Sequence, residues 1–309
     1  MKNLLQNSAG KLASSARFGK PRLLIFGCGD VGMRLLPLLQ RRFRVFAVSS
    51  QASRCAELRD AGAQPVLADL DHPHTLGRLG QLAQIVVHLA PPQPHGNKDQ
   101  RTRNLAAILP EHTTLVYIST SGVYGDCGGV SIDETRAVNP HNARAQRRVD
   151  AEQVLRAWAR RRSGRLSILR VPGIYADDRL PVERLIKGTP ALRPEDDVYT
   201  NHIHADDLAQ IIFAAIFKGA PSRVYHAVDD SEMKMGDYFD AVATAFGLPL
   251  APRLPREQLT QQVSPMLLSF MSESRRMQNG RIKAELGVRL RYPEVHAALR
   301  EMTTVLDGD

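Results

Sequence analysis

The stretch Arg22-Leu23-Leu24-Ile25-Phe26-Gly27-Cys28-Gly29-Asp30-Val31-Gly32-Met33 decides the reading of this chain. An unbroken apolar run ends at Gly27, and the Gly-x-Gly-x-x-Gly spacing of Gly27, Gly29 and Gly32 leads into a helical pattern at Met33. A strand that closes on such a loop and opens a helix is the fingerprint of a dinucleotide-binding turn. Gly27 permits the tight turn, Gly29 lets the backbone approach a pyrophosphate, and Gly32 lets the helix pack on the sheet. The N–H groups at the helix start, at Asp30, Val31 and Gly32, offer the anion a binding site. Pro37 lies within the following pattern and predicts a kinked or shortened helix.

Outward from this loop the pattern repeats. Apolar runs at Arg22–Phe26, Arg44–Val48, Pro65–Ala68, Gln84–Ala90, Thr114–Ser119 and Leu166–Val171 alternate with longer helical stretches. They show little polar alternation, as strands covered on both faces do. The expectation is an α/β fold, a doubly wound parallel sheet of the Rossmann type, with ligands at the C-terminal ends of its strands. Residues 1–20 read as a flexible tail and 21–176 as the dinucleotide-binding core. Residues 177–309 read mostly as a small C-terminal substrate lobe, with 201–230 returning to the core as strand, helix and one more buried strand at Val224–Val228.

Composition narrows the function classes. The chain has 309 residues, is 43% hydrophobic and 24% charged, and so is globular rather than disordered. Its net charge is +9, but Lys2, Lys11, Arg17 and Lys20 stand in a tail without acids. The remaining excess suits a small anionic ligand at least as well as a nucleic acid. Cys28, Cys55 and Cys127 lack metal-ligand spacing, so no metal site or disulfide framework is expected. Reduced thiols fit a cytoplasmic setting. No apolar run reaches the length of a membrane span, and no membrane partner is expected.

The end of the second run bears on cofactor choice. An acid there would hold the ribose 2′-hydroxyl of NAD. Here Ser49, Ser50 and Arg54 follow instead, two hydroxyls and a cation that suit a 2′-phosphate. NADP is the expected preference, with NAD left open.

Later segments speak together. Asp69-Leu70 follows the third run and His88-Leu89-Ala90 ends the fourth. The fifth ends in Tyr117-Ile118-Ser119-Thr120-Ser121-Gly122-Val123-Tyr124-Gly125, the sixth in Leu169-Arg170-Val171-Pro172-Gly173-Ile174-Tyr175, and His202-Ile203-His204-Ala205-Asp206-Asp207-Leu208-Ala209 comes later. This series resembles the extended short-chain dehydrogenase/reductases of the NAD-dependent epimerase/dehydratase family. The resemblance implies adenine-side contacts at Asp69 and Leu70 and a wall at Leu89 and Ala90 along the nicotinamide-side ribose. It places Thr120 where the family has its catalytic Ser or Thr. It also implies a sugar-nucleotide-like or other small anionic substrate and a homodimer built through helices flanking the sheet. Tyr124 stands off the family's catalytic tyrosine position, and a packing or hydrogen-bonding role is expected for it. Asp206 or Asp207 is expected to cap the helix that follows.

One departure is chemical. The family carries Tyr-x-x-x-Lys with a glutamate four residues beyond the lysine. Counting back from Glu152 puts Arg148 at the lysine position and Arg144 at the tyrosine position, and no tyrosine lies between Tyr124 and Tyr175. An arginine stays protonated and cannot act as a general base. Losing a positioned acid–base group costs about 100- to 10,000-fold. Arg148 retains the means to hydrogen-bond ribose hydroxyls, and Arg144 to hold a carboxylate or phosphate. Tyr175 and His202 are the candidate replacement groups. The pattern resembles an atypical bacterial branch that lacks the tyrosine–lysine pair, and Met271–Asn279 followed by Glu285-Leu286-Gly287 resembles that branch's C-terminal lobe.

Two function classes follow. One is an oxidoreductase or sugar-nucleotide epimerase/dehydratase-like enzyme with a rebuilt active site. The other is a catalytically silent dinucleotide-binding redox sensor or interaction scaffold. The arginine-rich stretch from Arg144 to Arg165 lacks interleaved aromatics. It reads as a solvated helix face with cations gathered toward the C-terminal end, so no nucleic acid is expected.

Overall fold

The computed structural model describes residues 19–306, so the tail expected over 1–20 lies almost wholly outside the described residues. Seven strands form one parallel sheet: β1 (Arg22–Phe26), β2 (Arg44–Ser49), β3 (Gln64–Leu67), β4 (Ile85–His88), β5 (Thr114–Thr120), β6 (Arg165–Val171) and β7 (Arg223–His226). Their order is β7-β6-β5-β4-β1-β2-β3, and every adjacent pair is parallel. The direction of winding reverses between β1 and β4, which opens a crevice there for a ligand.

Burial on both faces explains the unbroken apolar runs. Leu23 and Ile25 of β1 pack into one core layer with Leu35, Leu36 and Leu39 of α1 (Asp30–Gln40). Leu24 and Phe26 point the other way, into a layer with Leu155 and Trp158. The first face is covered by α1 and α6 (Ala205–Lys218), the second by α3 (Gln100–Ile108) and α4 (Ala143–Arg161). Between α1 and α3 runs α2 (Cys55–Asp60), beside β3. Contrary to expectation, α1 runs through Pro37 to Gln40 without being shortened. Three buried leucines on one face hold it against the sheet and offset the hydrogen bond that proline removes.

Beyond β6, a short strand Gly173–Tyr175 pairs in parallel with His202–His204. The lobe follows a third apolar cluster that includes Tyr175, Leu192, Tyr238, Phe239, Leu259, Met271 and Leu299. Its helices are α5 (Val182–Ile186), α7 (Met235–Ala245), α8 (Arg256–Thr260), α9 (Pro265–Phe270) and α11 (Val295–Leu306). The remaining helix, α10 (Gly280–Leu286), packs on α6 and so belongs to the core.

The cap of α6 differs from the sequence reading. His204 is the capping residue, its ring nitrogen accepting from the N–H of Asp206 at 3.2 Å. Asp207 instead accepts from the N–H groups of Arg291 and Tyr292, at 2.8 and 2.9 Å, and anchors the chain that leads into α11. Asp206 pairs with Arg34 of α1. No helix among the described residues is long and apolar enough to cross a membrane. All three cysteines are free thiols.

Candidate functional site

The three loop glycines have three different surroundings. Gly27 adopts φ +80°, and a Cβ on it would lie 2.4 Å from the backbone nitrogen of Ala90. That closeness has a cause: the N–H groups of Leu89 and Ala90 both donate to the carbonyl of Phe26, at 2.8 and 3.0 Å, so the turn after β4 is pinned on the end of β1. The same bonds end β4 at His88, two residues short of the run read from sequence. A Cβ on Gly32 would meet Cys28 Sγ at 2.9 Å and Leu89 Cδ1 at 3.4 Å, so this glycine lets α1 sit close to the loop. Gly29 is exposed, and a Cβ there would touch no protein atom within 4 Å. It leaves clear space at the start of α1, where a pyrophosphate needs it. Burial pushes the Cys28 thiol up to about 11, although the Arg54 charge opposes this.

A cavity of about 290 Å³ opens beside this loop. Of the residues read from sequence as cofactor-binding, Gly27, Gly29, Ser49, Ser50, Arg54, Asp69, Leu70 and Ala90 line it. Asp30, Val31, Gly32 and Leu89 do not line it; Val31 and Leu89 pack against the core. Asp30 is held by Arg34 at 2.9 Å and Arg179 at 2.8 Å. Burial raises its carboxyl, but hydrogen bonds from Arg179 and Arg34 outweigh that and hold it below the usual range.

At the end of β2, Ser49 Oγ accepts from the N–H of Gln51. Arg54 donates Nη1 to the carbonyl of Cys28 at 2.7 Å. Asp69 is engaged in its own turn, accepting from the N–H of Asp71 at 2.9 Å and pairing with His72 at 3.0 Å. Sequence reasoning missed Arg101, Pro91 and Gln51 on the cavity wall. Arg101 reaches it from α3, some thirty residues from its partner Asp71, and no local motif marks it.

At the other end of the crevice Thr120 closes β5, in register with Val171 of β6. Its hydroxyl oxygen accepts from the N–H of Gly122 at 3.3 Å, which leaves its proton free for another acceptor. Arg148 turns inward. It donates to the carbonyl of Ile118 at 2.9 Å and to Tyr117 Oη at 3.1 Å. Arg147 is also buried, donating to the carbonyl of Gly96 at 2.6 Å. Within the stretch expected to be solvated, Arg147 and Arg148 are therefore turned inward and bonded to backbone carbonyls, while Arg144, Arg160, Arg161, Arg162 and Arg165 are exposed. Arg144 is exposed, with its guanidinium 4.4 Å from the centre of the Phe270 ring of α9.

Tyr175 is 1% exposed, and its hydroxyl has no hydrogen-bond partner among the described residues. Burial pushes it far up, and the charge of nearby Asp229 adds to this. His202 stacks against Tyr238 at 4.2 Å, and burial pushes it down to about 3. His88 is sealed too. Thr102 gives its hydroxyl proton to Asp99, so His88 Nε2 donates to Thr102 Oγ1 at 3.0 Å and the ring stays neutral. Tyr124 joins a buried chain: Arg170 donates to its oxygen, and it donates to His226 Nε2. The segment Glu273 to Gln278 straps the edge of this region. Cys127 and Gly129 donate to the carbonyl of Ser274, and Arg275 reaches the carbonyl of Gly125 at 2.8 Å.

The RmlD substrate binding domain family model matches residues 97–303, and the TrkA-N domain model matches 23–91. A solved structure of a functionally unknown conserved protein from Silicibacter pomeroyi DSS is 30% identical, with a TM-score of 0.75 over 93% of this chain and 99% of that one. UDP-glucose 4-epimerase of Thermotoga maritima, solved with UDP-glucose, is 17% identical with a TM-score of 0.74, covering 93% of this chain and 99% of that one. The dTDP-glucose 4,6-dehydratase of Bacillus anthracis, solved with NAD, is 15% identical with a TM-score of 0.74, covering 94% of this chain and 97% of that one. The last two likenesses are of fold. No curated protein matches the sequence.

Proposed function

The chain belongs to the extended short-chain dehydrogenase/reductase superfamily, in its NAD-dependent epimerase/dehydratase family, and from that premise we propose an NADP-preferring enzyme of this chemistry with a rebuilt active site. The observation that carries the reading is the open space at Gly29, set between Gly27 and Gly32, which packing locks in place. There the start of α1, at Asp30, Val31 and Gly32, would hold the pyrophosphate. Ser49, Ser50 and Arg54 would hold the adenosine ribose and its 2′-phosphate. Asp69 and Leu70 would border the adenine, and Leu89 and Ala90 the second ribose. The bound dinucleotide would supply or accept a hydride.

The chain's own residues divide the remaining work. Arg148 braces the end of β5 through Ile118 and Tyr117. The Thr120 hydroxyl directs its free proton to a substrate oxygen. Arg144, exposed and stacked on Phe270, anchors an anionic group of a sugar-nucleotide-like substrate. The substrates named for the UDP-glucose epimerase and the dTDP-glucose dehydratase support that class. Tyr175 serves in this reading as a support of the lobe, because its hydroxyl is sealed from the crevice. Assembly as a homodimer belongs to the same proposal.

The test is turnover with NADPH across anionic carbonyl compounds and UDP- and dTDP-sugars. Steady turnover that falls at least tenfold in Thr120→Val and Arg144→Ala supports the enzyme. A second reading is a catalytically silent dinucleotide-binding sensor. The inward commitment of Arg148, at the position where the family has its lysine, favours it. Tight NADPH binding without turnover on any of these compounds decides for the sensor.

A further inference from the structure

The adenosine end of the cavity carries two arginines, and each is held by a carboxylate of its own. Arg101 forms hydrogen bonds of 2.6 and 2.8 Å to Asp71. Arg54 donates Nε and Nη2 to the two carboxylate oxygens of Glu57, at 3.0 and 2.9 Å, and Nη1 to the carbonyl of Cys28. A guanidinium has five N–H bonds. Three of those on Arg54 are used, which leaves one on each terminal nitrogen. The bond to Cys28 fixes this end of Arg54 to the phosphate loop, so the two spare N–H groups have a defined place at the cavity wall. Glu57 lies outside that wall, half exposed, three residues along the chain from Arg54.

We propose that Glu57 sets how strongly the protein prefers NADP over NAD. It neutralises Arg54 in advance and opposes a 2′-phosphate, which binds the two spare N–H groups of Arg54 against the neighbouring negative charge. This rests on the NADP reading of the pocket given above. The 2′-hydroxyl of NAD carries no charge and is insensitive to Glu57. The resulting preference is a modest one, set by a cation whose counter-ion never leaves. The ligand feature recognised is the adenosine 2′-phosphate; its like-charge interaction with a carboxylate ~5 Å away amounts to about fourfold in affinity at the dielectric of water and to a few hundredfold at an effective dielectric of ~20, and half-exposed Glu57 sits toward the water end, at about tenfold.

The experiment is calorimetric titration of the whole protein with NADPH and with NADH, for the wild type, Glu57→Gln, Arg54→Gln and Asp71→Asn. Glu57→Gln keeps the shape of the side chain and removes its charge. It is expected to tighten NADPH about tenfold while NADH changes less than twofold. Equal tightening of both cofactors, or weaker NADPH binding, overturns the proposal: Glu57 is then a general charge or a brace for Arg54. A selective gain in Asp71→Asn instead puts the phosphate at Arg101 and overturns it as well. Arg54→Gln separates this from the reading beneath it. If that variant binds NADPH as the wild type does, the NADP reading itself fails. If it loses NADPH while Glu57→Gln changes nothing, the NADP reading stands and the role of Glu57 does not.

Discussion

Arg170 of β6 meets Glu152 of α4 through two parallel hydrogen bonds, Nη2 to Oε2 at 2.7 Å and Nε to Oε1 at 3.1 Å, with both side chains 5% exposed. The pair is the centre of a buried polar chain. Ser119 donates to Glu152 at 2.6 Å, Arg170 donates to Tyr124 at 2.6 Å, Tyr124 donates to His226, and His226 Nδ1 donates to the carbonyl of Gln278 at 3.0 Å. It joins α4, β5, β6, β7 and the strap beneath the crevice. Removing one partner strands the other charge in the core. Glu152→Ala is therefore expected to cost about 3–5 kcal/mol in urea unfolding. Loss of less than 1 kcal/mol would mean that water reaches Arg170.

The loop glycines separate folding from binding. Gly29→Val places its side chain in open space, with φ at −85° where valine is tolerated. Its melting temperature should stay within a few degrees of the wild type while NADPH binding falls beyond detection by calorimetry. Gly27→Ala is the opposite case, because its Cβ would strike the Ala90 backbone at a positive φ. It is expected to destabilise the fold by about 1–3 kcal/mol or more. If Gly29→Val binds NADPH normally, the pyrophosphate does not cross this loop.

What the sequence disclosed and what it hid follow from distance along the chain. The strands were legible because burial on both faces leaves continuous apolar runs, and the loop because its three glycines stand within six residues. The capping role of His204 stayed hidden, since two aspartates that better fit the capping preference, Asp206 and Asp207, follow just after Ala205. The inward turn of Arg147 and Arg148 was equally invisible. Their partners, the carbonyls of Gly96 and Ile118, are backbone atoms 51 and 30 residues away. Arg101 and the Arg170–Glu152–Tyr124–His226 chain depend on contacts of the same kind, made only after the sheet has assembled.

Buried titratable groups set the pH dependence of stability. Burial pushes His88, His202 and His226 down to about 3, and pushes Asp229 up to about 8. Below the ordinary histidine pKa of 6.5 the unfolded chain takes up protons on these three imidazoles that the native state refuses, so their contribution is lost as the pH falls. Asp229 acts in the other sense: the native state keeps its proton, and that contribution is lost as the pH rises toward 8. Three protons against one leave stability falling from pH 6.5 to 4.5, by about 1.4 kcal/mol per pH unit for each unbalanced proton. Between pH 6.5 and 8 only Asp229 remains, and stability should decline gently. In Asp229→Asn that decline should vanish; urea unfolding across this range checks both limbs.

Arg144 and Arg148 lie one helical turn apart and should answer differently to the same substitution. Arg148 spends its N–H groups on the carbonyl of Ile118 and on Tyr117, inside the fold. Arg148→Ala leaves that carbonyl short of a partner and is expected to cost about 1–3 kcal/mol. Arg144 forms no hydrogen bond or ion pair among the described residues and rests on the exposed ring of Phe270. An exposed contact of that kind contributes about 0.5–1 kcal/mol, so Arg144→Ala should unfold almost as the wild type does. NADPH binding should also be unchanged, since Arg144 lies outside the cavity wall. If it anchors an anionic substrate, calorimetric binding of UDP-glucose to the NADPH-saturated protein should weaken at least tenfold in Arg144→Ala and recover in part in Arg144→Lys. UDP-glucose binding that is equally tight in wild type and Arg144→Ala would remove Arg144 from the substrate site and leave its stacking on Phe270 as its whole role.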